Sequence, residues 1–225
     1  MTHDATLRDT ALAFRLTDPP PGFVDDPYPL FAALRTHAPV HAMAPGTWLL
    51  TRHAEVDAVY RSAAVSSDKT REFAPKLGVG TPLYEHHTSS LVFSDPPLHT
   101  RVRRLMMGAV NQRAIARMEP GLVALVDGLL DRLADRPAPD LIEDFAAQIP
   151  VDVIGNLLDV PRAERGPLRA WSLAILSALE PAPDAAVLAR GNAAVSEFLA
   201  YLKGLIAHRR AHPGNPEVDV LTRLI

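Results

Sequence analysis

Apolar side chains return every three or four residues over most of this chain and lapse in one long stretch. Asp26 and Pro27 stand ahead of Leu30, Phe31 and Leu34, an N-cap, a first-turn proline and a short apolar face, and this helix is predicted to end near Pro39. Next, "PVHAMAPGTWLLTRH" offers two short extended runs around a turn at Pro45 and Gly46. Helical spacing returns at Val56, Val59 and Tyr60, so a small hairpin feeds a helix. Between Ser62 and Ser94 the periodicity disappears among glycines, prolines and hydroxyls, which reads as a long irregular segment, functional or disordered.

Beyond that segment the pattern predicts helices almost throughout. Leu98, Val102, Leu105, Met106 and Ala109 share one face, a predicted core stripe. Ile115, Met118, Leu122, Leu125, Leu129 and Leu133 step by three and four, with Pro120 expected to divide a short helix from a longer one. Val153, Ile154, Leu157 and Leu158 mark a helix after Pro150 that closes near Val160 and Pro161. "PLRAWSLAILSAL" and "DAAVLARGNAAVSEFLAYLKGLIAHRRAH" make two more around the break at Glu180 to Asp184. His208, Arg209, Arg210 and His212 crowd the end of the last long one, where cations suit the helix dipole. Val218, Leu221, Leu224 and Ile225 form a final apolar face with no C-cap behind it, as if the chain stopped inside an element. The fold class is mainly α with a small β-hairpin.

Composition narrows the function classes. A chain of 225 residues, 48% hydrophobic and 22% charged, suggests one globular domain or at most two. Its formal net charge of -3, with both signs interspersed, provides no field for nucleic acid or an anionic membrane. No run approaches the ~18 apolar residues of a membrane span, and the N-terminus lacks a signal peptide's apolar region, so a cytoplasmic location is the expectation. Zero cysteines removes disulfides, thiolate zinc sites, iron–sulfur clusters and cysteine nucleophiles together. His86 and His87 are adjacent in the irregular segment with no third ligand at a usual spacing, so no metal site is assigned. "GVG" at Gly78 to Gly80 lacks the third glycine and helix of a nucleotide loop. Trp48 and Trp171 are read as packing residues.

The chemistry concentrates in "FSDPPLHTRVRRLMMGAV". Ser94 or Asp95 can cap a helix whose first turn holds the prolines. His99 and Arg103 lie one turn apart on one border of the apolar stripe, and Arg101 and Arg104 lie off the other. A histidine and an arginine at i and i+4 in the first turns of a helix form a donor pair beside a positive dipole end, which suits an anion. A carboxylate held there gains a charge-assisted hydrogen bond of about 1.5 to 3 kcal/mol. The alternative from the helix alone is a solvated arginine beside a satisfied border histidine.

"DPPLHTRVRRLMMGAVNQRAIARM", with "LVF" shortly before it, resembles the C-helix segment of bacterial cytochrome P-450 monooxygenases, in which a DPPxHTRxRR string opens the helix. "DPYPLFAALRTHAPVH", "TWLLTRHAEVDAVYRS" and "FAAQIPVDVIGNLLDVPRAER" resemble further segments of the same family in the same order. The resemblance implies a partial cytochrome P-450 fold, the A to H helix region. Residues 1–24 would be an extension, and residues 25–225 the amino-terminal part of the domain, stopping before the I helix. It implies that His99 and Arg103 hydrogen-bond the propionates of haem b, with Leu91 and Val92 as apolar haem neighbours. It also implies a small apolar organic substrate under residues 66–93 and the "RAWSLAILSALEPAPDAAVL" stretch. A ferredoxin- or flavin-type redox partner would dock near Arg101, Arg104 and Arg113.

Three parts of the family's machinery are not in this sequence: the I helix, a Glu-x-x-Arg pair and the cysteine whose thiolate binds iron. The expected inheritance is therefore a haem-dependent monooxygenase, here without its axial ligand and with no catalytic residue of its own. The alternatives are a haem-free helper protein of the same family or an inactive remnant.

Overall fold

A computed structural model of the chain describes residues 3–110, 112–216 and 219–225, and the side chains of residues 5–110, 115–216 and 219–225. It divides into two compact units, residues 1–66 and 67–225.

The first unit runs α1 (His3–Ala13), α2 (Tyr28–His37), β1 (Val40–Ala44), β2 (Thr47–Leu50) and α3 (His53–Arg61). Asp26 accepts a hydrogen bond from the Tyr28 N–H at 3.2 Å, but the N-cap position of α2 falls at Pro27, one residue later than the sequence signals, with Pro29 in the first turn. The two strands pair antiparallel with Val40 opposite Leu50 and Ala42 opposite Trp48, and Gly46 takes φ 74° in the turn between them. Residues 1–24, expected as an extension, include α1, and Ala11 and Phe14 pack with Leu30, Ala33 and Leu34 in one core. Phe23 closes that core, its ring 5.2 Å from Phe14 and 5.7 Å from Phe31. Trp48, expected to pack, is 62% exposed, because the hairpin is a lone two-stranded ribbon with nothing laid on that face among the described residues.

The second unit is all helical: α4 (Thr70–Leu77), α5 (Pro82–Thr88), a 3-10 turn (Leu91–Phe93), α6 (Leu98–Ala109), α7 (Gln112–Ala134), a π-helical turn (Leu141–Ala146), α8 (Gln148–Leu157), a 3-10 turn (Arg162–Glu164), α9 (Gly166–Ser177), α10 (Ala185–Ala211) and α11 (Val220–Leu224). The aperiodic stretch is thus largely helical. Gly78 ends α4 at φ 82°, and the Thr81 hydroxyl caps α5 by accepting from the Tyr84 N–H, with Pro82 in the first turn. Both helices are seven or eight residues long, too short for periodicity to rise above their punctuation. Phe73, Leu77 and Leu83 from this segment form the main core with Ile175, Ala178, Ala194 and Val195 of α9, its C-terminal end and α10. Leu83 also lies over Gly191, where an added Cβ would come 2.9 Å from its Cδ1.

Pro120 does not divide α7, which is continuous through it. The proline deprives the Ala116 carbonyl of its helical partner, but Ala116 is exposed, so that carbonyl is open to solvent. A second core joins Val160, Leu205 and Leu221, so α11 is seated on α10. Val218, read as part of this last apolar face, lies outside the described residues.

The α6 stripe is the main departure from the sequence pattern. Leu98, Leu105 and Met106, predicted for the core, are 43%, 63% and 45% exposed, and only Ala109 is buried. Amphipathic spacing marks the face that a helix would bury; it does not supply the surface that covers it. Ile115 and Leu122 of α7 are likewise exposed, while Leu129 is buried. Between α7 and α8 this leaves an apolar cleft of about 600 Å³ bordered by Ile115, Leu122, Leu125, Val153 and Leu157.

Candidate haem-carboxylate site on α6

The head of α6 is built differently from the expected cap. Neither Ser94 nor Asp95 bonds the first turn through its side chain; the Asp95 carboxylate accepts from the Ser67 N–H at 2.8 Å, and the Ser94 hydroxyl donates to the Ser90 carbonyl at 2.7 Å. Pro96 and Pro97 carry no N–H for a cap to satisfy, so the helix is instead closed by backbone bonds, His99 N–H to the Asp95 carbonyl and Arg101 N–H to the Pro97 carbonyl. The Ser90 hydroxyl caps the preceding 3-10 turn by accepting from the Val92 N–H.

On this frame His99 is half-buried and Arg103 exposed, one turn further along the same face. Among the described residues neither makes a side-chain hydrogen bond or ion pair, and the same is true of Arg101 and Arg104. Elsewhere in this unit some arginines are held by carboxylates, and others, among them Arg132, Arg190 and Arg210, make no side-chain hydrogen bond or ion pair among the described residues. Arg136 meets Asp144 at 2.6 Å, Arg165 meets Asp152 at 2.9 Å, and Arg169 holds Glu143 with two bonds, one of them 2.7 Å. What sets α6 apart is that His99, Arg101, Arg103 and Arg104 all lack a side-chain partner within two turns of one helix. Arg113, the third arginine expected at the redox face, has its side chain outside the described residues.

Leu91 and Val92 stand in the 3-10 turn that leads into α6. Leu91 is half-buried and Val92 is 70% exposed. Phe93, the last residue of this turn, is turned inward onto Phe73, the rings 5.0 Å apart and edge to face. The turn is thus anchored by Phe93 and presents Val92 outward. None of these residues borders the large cleft between α7 and α8.

The donor set can be compared with what a haem needs. A half-buried imidazole and a free guanidinium one turn apart match carboxylate oxygens, and the unpaired state of both leaves them available. The iron would need a further ligand: the chain has no cysteine and so offers no thiolate. The two adjacent histidines do not supply that ligand, because His87 is enclosed in the core on α5 and is not in a loop as expected.

A mainly helical chain with one small antiparallel hairpin is the architecture that the resemblance to the cytochrome P-450 family implies. Comparisons with known proteins agree. The Vitamin D(3) 25-hydroxylase of Pseudonocardia autotrophica is 34% identical over 194 residues, 85% of this chain and 46% of that protein. Cytochrome P450 monooxygenase PikC of Streptomyces venezuelae is 30% identical over 207 residues, 89% of this chain and 47% of its own length. The crystal structure of CalO2 superposes with a TM-score of 0.82 at 31% identity, covering 95% of this chain and 52% of CalO2. Epothilone B-bound cytochrome P450epoK gives a TM-score of 0.73 at 31% identity, covering 91% and 52%. No family model matches the chain. The chain belongs to the cytochrome P450 family, and it spans about half the length of the curated relatives it matches.

Sequence reasoning found the α6 pair but missed α4 and α5, which form the floor on which the 3-10 turn rests. Their signals were present as Thr81-Pro82 and as Gly78 behind Leu77.

Proposed function

We propose that this chain, with α1 as part of its first core rather than an extension, is the amino-terminal part of a haem-dependent monooxygenase domain that also has an I helix and a cysteine loop. The observation that carries this reading is the free, half-buried His99 beside the free Arg103 at the head of α6. The haem, when bound, supplies the activation of dioxygen: one oxygen atom enters a substrate C–H bond, and the other leaves as water on two electrons and two protons from a reductant. His99 and Arg103 would donate to the haem carboxylates and hold the group at the head of α6. Leu91 and Val92 offer apolar contact beside it, and Phe93 keeps their turn in place through Phe73. The substrate is a small apolar organic molecule. Arg101 and Arg104, unpaired on the other border of α6, face an acidic redox protein of the ferredoxin or flavin type. Among the described residues no helix is long and apolar enough to cross a membrane.

Haem titration followed in the Soret band tests the clamp. A shifted band is expected with the 225-residue chain, weakened about 10- to 100-fold in affinity by His99→Ala with Arg103→Ala, equivalent to about 1.5 to 3 kcal/mol. Arg101→Ala with Arg104→Ala should leave it unchanged. Absence of any spectral change would sink haem binding by this chain and favour the haem-free helper. Sequencing past the codon for Ile225 tests the rest: a continuing frame with a cysteine loop is expected, and a stop codon would count against the monooxygenase.

A further inference from the structure

The main core of the second unit contains one group that does not belong in an apolar interior. His87 on α5 is 4% exposed and lies among Phe73 of α4, Phe93 of the 3-10 turn and His86, with ring centroids 5.7, 6.0 and 5.1 Å away. Its Nε2 is buried without a hydrogen-bond partner. Among its neighbours the backbone of Ile175 on α9 favours a proton on the ring. His87 thus lies with its buried ring where the α4–α5 pair meets α9, beside the apolar contacts of Leu83 with α10.

We propose that His87 is an acid-sensitive latch: neutral, it seats α4 and α5 on α9 and α10, and protonated, it releases them together with the 3-10 turn that carries Leu91 and Val92. A second ring proton would place an N–H⁺ at a buried position with no acceptor, a cost that the seated arrangement cannot relieve and the released one can. The charged and titratable groups that bear on the ring oppose protonation. His86 lies beside it on α5, and Lys76 on α4 donates its Nζ–H to the Leu179 carbonyl at 2.8 Å. Ile175 on α9 offers its carbonyl, and α10 presents Ala194, Val195 and the Asn192 amide, whose oxygen is taken by the Leu83 N–H at 2.9 Å. Burial first, then the His86 and Lys76 charges, hold the His87 imidazole below its ordinary 6.5 against the Ile175 backbone, which favours the proton; burial lowers His86 as well. Because the seated form binds fewer protons than the released form, seating is strongest above about pH 6.5 and weakens as pH falls. The inference concerns the polypeptide alone and stands or falls independently of haem binding.

Hydrogen–deuterium exchange of the 225-residue chain between pH 8 and pH 5, corrected for the intrinsic rate, reads this directly on residues 70–93. Protection there should fall by up to about tenfold for each pH unit below about 6.5. His87→Leu should keep the protection of pH 8 and lose its pH dependence, and His86→Gln should retain the dependence. Unchanged protection in the wild-type chain, or the same acid loss in His87→Leu, would overturn the latch. If His87→Leu does not fold, imidazole proton resonances of the wild-type chain decide: a His87 midpoint below 6.5 supports the proposal, and one at or above 6.5 refutes it.

Discussion

Arg209 sits in the last turn of α10, where its sequence neighbours suggest a cation for the helix dipole, yet its side chain turns inward and is buried. It bonds the Asp159 carboxylate at 2.8 Å and stands 3.2 Å from Asp219 through its Nε, an ion pair without hydrogen-bond alignment. Asp219 is itself buried and caps α11 by accepting from the Leu221 and Thr222 N–H groups. Arg209→Ala would leave that carboxylate uncompensated, so a loss of about 3–5 kcal/mol is expected in denaturant unfolding. Arg209→Met with Asp219→Asn should cost less than the sum of the single changes, because the buried charge goes with its partner. Tyr201 supplies a pH signature. Burial and the Glu164 carboxylate that accepts its hydroxyl at 2.8 Å push its pKa up to about 12. The folded form keeps a proton that the unfolded chain releases near pH 10, so this contribution is present below pH 10 and lost as pH rises toward about 12. Tyr201→Phe should flatten that alkaline limb of the stability curve, and an unchanged limb would refute the assignment.

Among the elements, length decided legibility. α10, with 27 residues, Asp184 as a cap accepting from the Val187 N–H at 2.7 Å and a proline-rich break before it, was evident in the chain. Asp184→Ala should cost about 1 kcal/mol in thermal or chemical unfolding. α4 and α5 were hidden because one or two turns hold too few apolar positions to show a period, although their glycine and threonine–proline ends were written plainly. Close approach between elements was not legible either. Gly191 reads as an unremarkable helix-interior glycine until Leu83 and the Ala174 carbonyl are found 2.9 and 3.2 Å from where its Cβ would be. Gly191→Ala trades better helix propensity for a collision at the α5–α10 contact, and a net loss of about 1–3 kcal/mol is expected. The check is a urea midpoint shift with unchanged slope.

At the scale of the molecule, the chain carries apolar faces that its own elements leave uncovered. Leu105 and Met107 of α6, Ile115 of α7 and Leu173 and Leu176 of α9 are all more than half exposed. Apolar area left in water forgoes about 25 cal/mol for each Å², and contiguous patches of this kind recruit other surfaces. The 225-residue chain by itself should therefore associate with rising concentration and enhance the fluorescence of an apolar dye. Sedimentation velocity and dye titration check this, and a monomer with no dye response at high concentration would contradict it. The shortfall fits a chain that spans about half of its relatives' length.

Local spacing determined most of the helices, the hairpin and the placing of His99 and Arg103 on one face of α6, since an i and i+4 relation needs only a helix to bring two side chains onto one face. It also marked which faces are apolar. Whether such a face is buried depends on what lies opposite, and that is a property of the fold: the α6 stripe stayed exposed while the unperiodic Phe73, Leu77 and Leu83 entered the core. The same reason separates the histidines. His99 could be placed by its own helix, whereas the enclosure of His87 arises from Phe73, Phe93 and Ile175, which come from three other parts of the chain.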